Sequence, residues 1–322
     1  MKTDELSSLR GLDLKELLIE IEKESFLYRK TLNLPDNVTF GTEIEYEKLS
    51  KFKVDDFVLK KLDNWHSKFD GSLHDGGEVT SPIMKDRQKD WEELKTICIF
   101  LREENVDTSN HAGGHIHVGY QILEKDTQNW IRFLKLYMTY EHILFRFAYG
   151  DKISARERIE KYARPIADDL YKKKKEIMKI QRFSNLKEIL RFGKYVALNF
   201  CNIDFDDTFL NYYNTIEFRM ANASVSEIIW QNNINTFSKM LLSAREDRIN
   251  MDFVEYKLYH EYVSYKKNEH RYHEVILKDA LEFVDLIFDD MVDKKYFLKQ
   301  YIKGLEQSYR KQPGEEAKIF KK

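Results

Sequence analysis

Three short stretches of this chain alternate ionisable and apolar side chains, at residues 43–47, 113–119 and 215–219. Because successive side chains of a β-strand point to opposite faces, each stretch would place its ionisable residues on one face of a strand. The second stretch carries His115 and His117 after two glycines. If the apolar faces pack into one core, the ionisable faces converge on one cavity.

The chemistry of that cavity follows from its residue types. The ionisable residues on or beside predicted strands are Glu43, Glu45, Glu47, Glu78, His115, His117, Glu217 and Arg219. Any one of them alone is more simply an exposed charge or an ordinary salt bridge, but the repetition on three strands favours a common site. Crowded carboxylates repel one another unless a positive charge lies between them. Their excess over histidine favours magnesium or manganese, whereas a histidine- or thiolate-dominated site would indicate zinc.

Arg219 adds a second indication, because its guanidinium would lie beside Glu217 on the same strand face. A guanidinium is a rigid fork of donors that suits phosphate and the charge of a transferring phosphoryl group. The chain contains neither a Gly-x-x-x-x-Gly-Lys-Ser/Thr loop nor a Gly-x-Gly-x-x-Gly turn after a strand. Any nucleotide would therefore be held through metal-bridged phosphates. A nucleophile elbow around a serine is also absent.

Composition sets the class of protein. The 322 residues are 42% hydrophobic and 34% charged, with a net charge of −2. This predicts a soluble globular protein, and it gives no reason to expect nucleic acid or a membrane as partner. Cys98 and Cys201 lie in apolar runs and are predicted to be buried, reduced thiols of a cytoplasmic protein. The polar N-terminus lacks the pattern of a signal peptide, and no stretch has the length of a membrane span.

The pattern along the chain predicts an α+β fold. Strands are expected at 38–47, around Glu78, at 113–119, 195–203 and 214–220, and the expected helices cover 4–32, 87–103, 127–149, 226–244, 273–291 and 294–307. Strands and helices do not alternate regularly, so a mainly antiparallel sheet with helices on the outside fits better than a parallel one. We expect a single catalytic domain over 1–322 with its core at about 38–245.

The segment 153–190 is charge-rich and contains a run of four lysines at 172–175. The simplest interpretation is a solvated helical excursion, and the alternative is a lid or an anionic-substrate patch. The C-terminal part, about 270–308, is predicted to be helical with a fraying tail.

Four motifs in order resemble the amidoligase family of the carboxylate-amine ligase superfamily, which includes glutamine synthetase and glutamate-cysteine ligase. The motifs are Phe-Gly-Thr-Glu-Ile-Glu at 40–45, Asp-Gly-Ser-Leu at 70–73 with Gly-Glu-Val at 77–79, Gly-Gly-His-Ile-His-Val-Gly at 113–119, and Thr-Ile-Glu-Phe-Arg at 215–219. The resemblance covers about residues 38–245. It implies an antiparallel sheet that forms a glutamine-synthetase-like catalytic funnel holding ATP and Mg²⁺, with Mn²⁺ as the alternative ion.

The resemblance also implies roles for individual residues. It assigns metal binding to Glu43, Glu45, Glu78, His115 and Glu217. His117 would lie near the nucleotide, and Arg219 would stabilise phosphoryl transfer. Lys194 stands where the family usually has an arginine that contacts phosphate.

The first hypothesis is therefore an ATP-dependent ligase that joins a carboxylate to an amine through an acyl phosphate. A carboxylate would help deprotonate the amine, and Asp70 and Asp75 are the candidates. A zinc hydrolase that uses His115 and His117, or a non-catalytic nucleotide- or peptide-binding module, are the alternatives. The sequence leaves the small-molecule or peptide substrates and the oligomeric state open.

Overall fold

The computed structural model describes residues 9–108, 111–206, 208 and 213–303. A six-stranded antiparallel sheet forms its centre, in the order β2-β3-β1-β4-β6-β5. The strands are β1 (Phe40–Glu47), β2 (His66–Lys68), β3 (Gly76–Thr80), β4 (Gly113–Gly119), β5 (Leu198–Asn199) and β6 (Thr215–Asn222). The predicted α+β class and antiparallel sheet are confirmed.

Helices surround this sheet. They are α1 (Leu14–Glu22), α2 (Lys51–Lys61), α3 (Gln88–Glu103), α4 (Thr127–Phe147), α5 (Ile159–Tyr162), α6 (Ala167–Lys172), α7 (Lys174–Ile177), α8 (Leu186–Ile189), α9 (Glu227–Arg245), α10 (Met251–His260), α11 (Leu277–Ile287) and α12 (Met291–Ile302). Helix α4 begins where the Asp126 side chain accepts a hydrogen bond from the Gln128 amide at 2.8 Å. None of the helices in the described ranges has the length and apolar character needed to span a membrane.

The apolar face of the sheet packs on α4 and α9. Ile44, Ile116 and Phe218 are fully buried, and the Phe218 ring stacks on Phe237 of α9 with centroids 4.1 Å apart. Burial of such side chains is worth about 1.5–3 kcal/mol each. The buried apolar face fixes which way the alternating residues point, so the ionisable face of β1, β4 and β6 turns the other way as a set.

The N-terminal helix is shorter than predicted. Helix α1 starts at the Asp13 capping box and ends at Glu22, instead of covering 4–32, and residues 1–8 lie outside the described part of the chain. Beyond the helix, tertiary contacts take up the backbone amides: Leu27 donates to the Tyr296 hydroxyl at 2.9 Å and Arg29 to the Gln231 side chain at 2.8 Å. These contacts hold Leu27 and Arg29 outside the helix, although the helical pattern of the sequence continues through them.

Several other secondary-structure elements also differ from the prediction. The strand expected at 195–203 shrinks to β5, while α2, β2 and α10 were not predicted. Helix α2 buries only Val54 and Val58, which is too few apolar residues for a clear helical pattern.

Cys98 is buried as predicted, but Cys201 is exposed, so the prediction of two buried thiols is wrong for Cys201. Residues 304–308 of the predicted C-terminal helices lie outside the described ranges.

The charged segment 153–190 folds into the short helices α5 to α8. Its apolar residues Ile166, Leu170 and Ile177 are buried, and α6 packs against α4. The segment is therefore helical, as predicted, but it is joined to the core and does not form a separate solvated excursion.

Candidate active site

Strand register places the ionisable residues beside one another on the face of the sheet opposite the α4–α9 core. Glu43 of β1 pairs with His115 of β4, and His117 of β4 pairs with Glu217 of β6. On the other side of β1, Glu45 pairs with Glu78 of β3. These pairings bring the ionisable residues together on one face, as alternation predicts, but the residues border two cavities and not the single cavity expected.

The paired residues form a row across the sheet, and their potential metal-ligand atoms fall into two groups. The first group is Glu43, His117 and Glu217, and its donor atoms lie within 4.8 Å of one another. His117 Nε2 lies 3.3 Å from a Glu43 oxygen, and the Thr215 hydroxyl lies 3.1 Å from His117 Nδ1. Asn199 of β5 donates to Glu217 at 2.6 Å and fixes that carboxylate.

The second group is Glu45, Asp70 and Glu78, with donor atoms also within 4.8 Å of one another. Glu45 accepts a short hydrogen bond from the Gly113 amide, and Lys68 lies 3.4 Å from Glu78. Asp70 lies on the loop before β3, where its carboxylate accepts from the Ser72 amide at 2.7 Å.

His115 lies between the two groups. Its Nδ1 is 2.8 Å from Glu43 Oε2, and its Nε2 is 3.4 Å from Glu45 Oε1. Neither this Nε2 nor that of His117 makes a hydrogen bond of acceptable geometry to another described residue, although both atoms are buried. Buried polar atoms without a partner are unusual, so the two imidazoles have the capacity to contact a further group.

Arg219 borders the first group. Its guanidinium forms an ion pair with Glu217, and Nη1 lies 3.5 Å from His115 Nδ1. The Arg219 Nε donates to the Tyr162 carbonyl at 3.4 Å, and the Arg219 amide donates to Ala197 at 2.9 Å. Its position is thus set by the segments before β5 and around α5 as well as by its own strand.

The electrostatics of the row reflect its crowding. Burial would raise the pKa of Glu43, but His115 and His117 together hold that pKa well below its usual range. The pKa of Glu78 is raised, first by burial and then by the negative charge of Glu43. Burial opposes protonation of His117, yet Glu43 and Glu217 raise its pKa overall. The carboxylates at this site therefore favour a further positive charge.

A cavity opens on each side of the row. The polar cavity has a volume of about 550 Å³ and reaches Glu45 and Arg219, and its wall also includes the basic residues Arg156, Lys161 and Lys194. The apolar cavity has a volume of about 390 Å³ and reaches Glu43 and His117, and its wall includes Phe40, Pro82 and Ile83. The reacting groups of two ligands could meet at the row from opposite sides.

The structure separates the sequence-predicted residues into two sets. The row contains Glu43, Glu45, Glu78, His115, His117, Glu217 and Arg219, with Asp70 beside it. Lys194 is exposed on the wall of the polar cavity, with its ammonium 5.0 Å from the Tyr195 ring centroid, and Asp75 lines neither cavity.

Sequence reasoning assigned no role to the basic wall residues Arg156 and Lys161. Arg156 is 4% exposed, and its guanidinium donates to the backbone carbonyls of Ala221 at 2.8 Å and Arg219 at 3.0 Å. Lys161 lies in α5, which is only one turn long, and Arg156 lies in the loop before it, which the fold brings to β6 from about 60 residues away.

Gly113 makes the close approach of Arg156 possible, and this gives a first prediction. A Cβ at Gly113 would overlap the Arg156 guanidinium. Gly113→Ala should therefore displace Arg156 and destabilise the protein by about 1–3 kcal/mol, in the range of overpacked cores. Urea unfolding measures the change, and Gly71→Ala is the control because a Cβ there meets no neighbouring atom within 4 Å. Equal stability of the two variants would contradict the tight contact.

One comparison with known proteins supports the family resemblance of the motifs. A family described as "putative amidoligase enzyme" matches residues 21–241. A bifunctional glutathione synthetase from Pasteurella multocida is a solved structure with a TM-score of 0.38 and 11% sequence identity, and the match covers 91% of this chain and 51% of that one. The chain thus spans about half the length of that protein, and a likeness this low carries no functional argument. A search of curated proteins found no match.

Proposed function

The chain belongs to the amidoligase family, and on that premise we propose that it is an ATP-dependent ligase that forms an amide or isopeptide bond between a carboxylate and an amine. The observation that carries the proposal is the pair of adjoining donor groups on one sheet face, bordered by Arg219 and open to a cavity on each side. We propose further that the sheet is the wall of a glutamine-synthetase-like funnel within one catalytic domain over 1–322.

The donor set fits magnesium or manganese. The two groups together offer five carboxylates and one imidazole, and hard oxygen ligands suit these ions better than zinc. The Nε2 atoms of His115 and His117 are buried and have no hydrogen-bond partner among the described residues, so they can accept a further ligand. We propose that Glu43, His117 and Glu217 hold one ion and that Glu45 and Glu78 hold another, with His115 between them. A bound ion would withdraw charge from the phosphate oxygens of ATP.

The two cavities suggest where the substrates lie. The apolar cavity next to Glu43 and His117 suits the base and ribose of the nucleotide. The polar cavity suits the acid and the amine, because its basic wall attracts a carboxylate. Lys194 and Arg219 share that wall, so both would approach the phosphoryl group from the acid's side.

Different side chains of the protein act in the two steps of the proposed reaction. A carboxylate oxygen of the acid attacks the γ-phosphorus of ATP and ADP leaves, which gives an acyl phosphate. Arg219 lies where its guanidinium can neutralise charge on the transferred group, and Glu217 and the Tyr162 carbonyl hold it there. The amine nitrogen then attacks the acyl carbon, phosphate leaves, and Asp70 at the polar cavity accepts the amine proton.

Phosphate release from ATP tests this proposal. The protein is incubated with ATP and Mg²⁺ and a pool of amino acids and short peptides that supplies carboxylates and amines. We expect release only when an acid and an amine are both present, with a new amide detected by mass spectrometry. Release that requires neither, or zinc-dependent hydrolysis without ATP, would overturn the ligase assignment.

Glu217→Gln provides the metal-specific prediction. This change removes the charge of Glu217 but keeps its size and its contact with Asn199. The Mg²⁺ concentration for half-maximal phosphate release should rise by at least about 10- to 100-fold, because this loss is typical even of an outer partner that only supports a metal ligand. Glu227→Gln on α9 is the matched control, since Glu227 pairs with Arg102 away from the row. An unchanged Mg²⁺ requirement would remove Glu217 from the proposed ligand set.

A further inference from the structure

Glu141 is a buried carboxylate in the middle of α4, outside the row of the active site. It is fully inaccessible to solvent. Its Oε1 accepts from the Ile166 amide at 2.7 Å, the Ala167 amide at 3.1 Å and the Tyr137 hydroxyl at 2.9 Å. Its Oε2 accepts from the Tyr272 hydroxyl at 2.9 Å and again from Ala167 at 3.1 Å. Both oxygens are thus fully occupied by neutral donors.

Such a group is costly to bury. In the described ranges no lysine, arginine or histidine forms an ion pair with Glu141, so hydrogen bonds alone compensate for its lost hydration. Burial accordingly raises the pKa of Glu141 to about 7, although the four donor groups oppose that rise. An apolar residue would fill the same place in α4 without this cost, so the carboxylate requires a reason.

The reason lies in what its two backbone donors belong to. Ile166 and Ala167 lie at the start of α6, which follows the short helix α5. Residues 155–172, which contain both helices, are here termed the arm. The arm's Tyr162 carbonyl holds the Arg219 guanidinium, and its Arg164 exchanges backbone hydrogen bonds with Tyr195 at 3.1 Å and Ala197 at 2.9 Å. Ala197 in turn accepts from the Arg219 amide.

Two separate series of contacts therefore join Glu141 to the active site. One runs from its carboxylate through Ile166 to the Tyr162 carbonyl and Arg219, and the other runs through Arg164 to the wall that carries Lys194. Lys161 of the arm lines the polar cavity as well. Without Glu141, the amides of Ile166 and Ala167 would be buried without acceptors, and the arm would be free to leave α4.

We propose that Glu141 is a positioning residue for Arg219 and for the basic wall of the polar cavity, acting through the arm. The role in the reaction rests on the proposed ligase function, whereas the attachment of the arm by Glu141 stands apart from it. Glu141 touches no substrate-facing atom, so it is not a catalytic residue.

Three variants of the full-length chain separate the possibilities. Glu141→Leu removes both acceptors, whereas Glu141→Gln keeps one carbonyl oxygen that can still accept from Ile166 and Ala167. Tyr272→Phe removes one donor to Glu141 and leaves the arm's amides paired. Hydrogen exchange of residues 159–172 measures attachment of the arm, with α9 as the internal reference. Steady-state phosphate release gives kcat and the KM for ATP.

The Leu variant should exchange at least about tenfold faster in the arm, because local opening becomes easier, while α9 is unchanged. Its kcat should fall at least about tenfold with the KM for ATP within about twofold, since Arg219 acts in the transition state. The Gln variant should restore both, and Tyr272→Phe should change neither. Slow exchange in the arm of a folded Leu variant would overturn the attachment.

Three other results would overturn the positioning role. Fast exchange in the Leu variant with a normal kcat would reduce Glu141 to a structural residue. Unfolding of the Leu variant shifts the decision to the Gln variant and Tyr272→Phe, and a tenfold loss of kcat in Tyr272→Phe without faster exchange would contradict the proposed path. A wild-type protein that releases no phosphate would end the catalytic role, while the exchange data would still decide the attachment.

Discussion

Arg219→Lys should lower kcat for phosphate release by about 100- to 1000-fold, equivalent to about 3–4 kcal/mol of transition-state stabilisation. Lysine keeps the positive charge, but it lacks the planar fork with which Arg219 contacts Glu217 and the Tyr162 carbonyl and with which it would also reach a phosphoryl oxygen in the proposed reaction. The KM for ATP should change much less, because most of this interaction arises as charge develops on the transferred group. Initial rates at saturating ATP and Mg²⁺ measure both constants.

Arg102→Lys is the matched control for that experiment. Arg102 pairs with Glu227 at 3.1 Å and lies outside both cavities, so its variant should retain the wild-type kcat. A loss of less than about threefold in Arg219→Lys would be too small for a group that stabilises phosphoryl transfer. A rise in the KM for ATP at constant kcat would instead make Arg219 a ground-state binding residue.

The centre of the fold could be predicted from sequence because local and global preferences agree there. Alternation in β1, β4 and β6 marks which side chains face the α4–α9 core, and the opposite face follows without further information. Pairing between Glu43 and His115, or between His117 and Glu217, needs only the correct neighbours in an antiparallel sheet. The periphery lacks this redundancy, so α1 ends early and α2 and α10 were missed.

The site shows the same division. Residues on regular strands were predicted, whereas Arg156, in a loop, and Lys161, in a one-turn helix, were not, because neither segment has a period that a sequence can display. Their positions depend on tertiary contacts, such as the backbone pairing of Arg164 with Tyr195 and Ala197. Glu141 is a further example, since a glutamate in an amphipathic helix is ordinarily exposed and its burial depends on tertiary donors, the arm's amides together with the Tyr137 and Tyr272 hydroxyls.

The second large effect concerns stability and involves α10. Lys257 is 3% exposed and donates to Asp279 at 2.7 Å, with a shorter contact to Glu282. Burial lowers the pKa of Lys257, but both carboxylates raise it overall, so the ammonium stays charged. Lys257→Met keeps the aliphatic stem and leaves two buried carboxylates without their shared cation. We expect a loss of about 3–5 kcal/mol in the free energy of unfolding by urea.

Two further variants show whether unpaired charge is the cause. Lys278→Met removes an exposed lysine of α11 and should change stability by less than about 0.5 kcal/mol. Lys257→Met combined with Glu282→Met should recover a large part of the loss, because Asp279 keeps His142 at 2.9 Å as a partner. A double variant as unstable as the sum of the single changes would assign the loss to packing. Recovery would show that α10 and α11 are joined to α4 by a charge network that hydrophobic patterning could not predict.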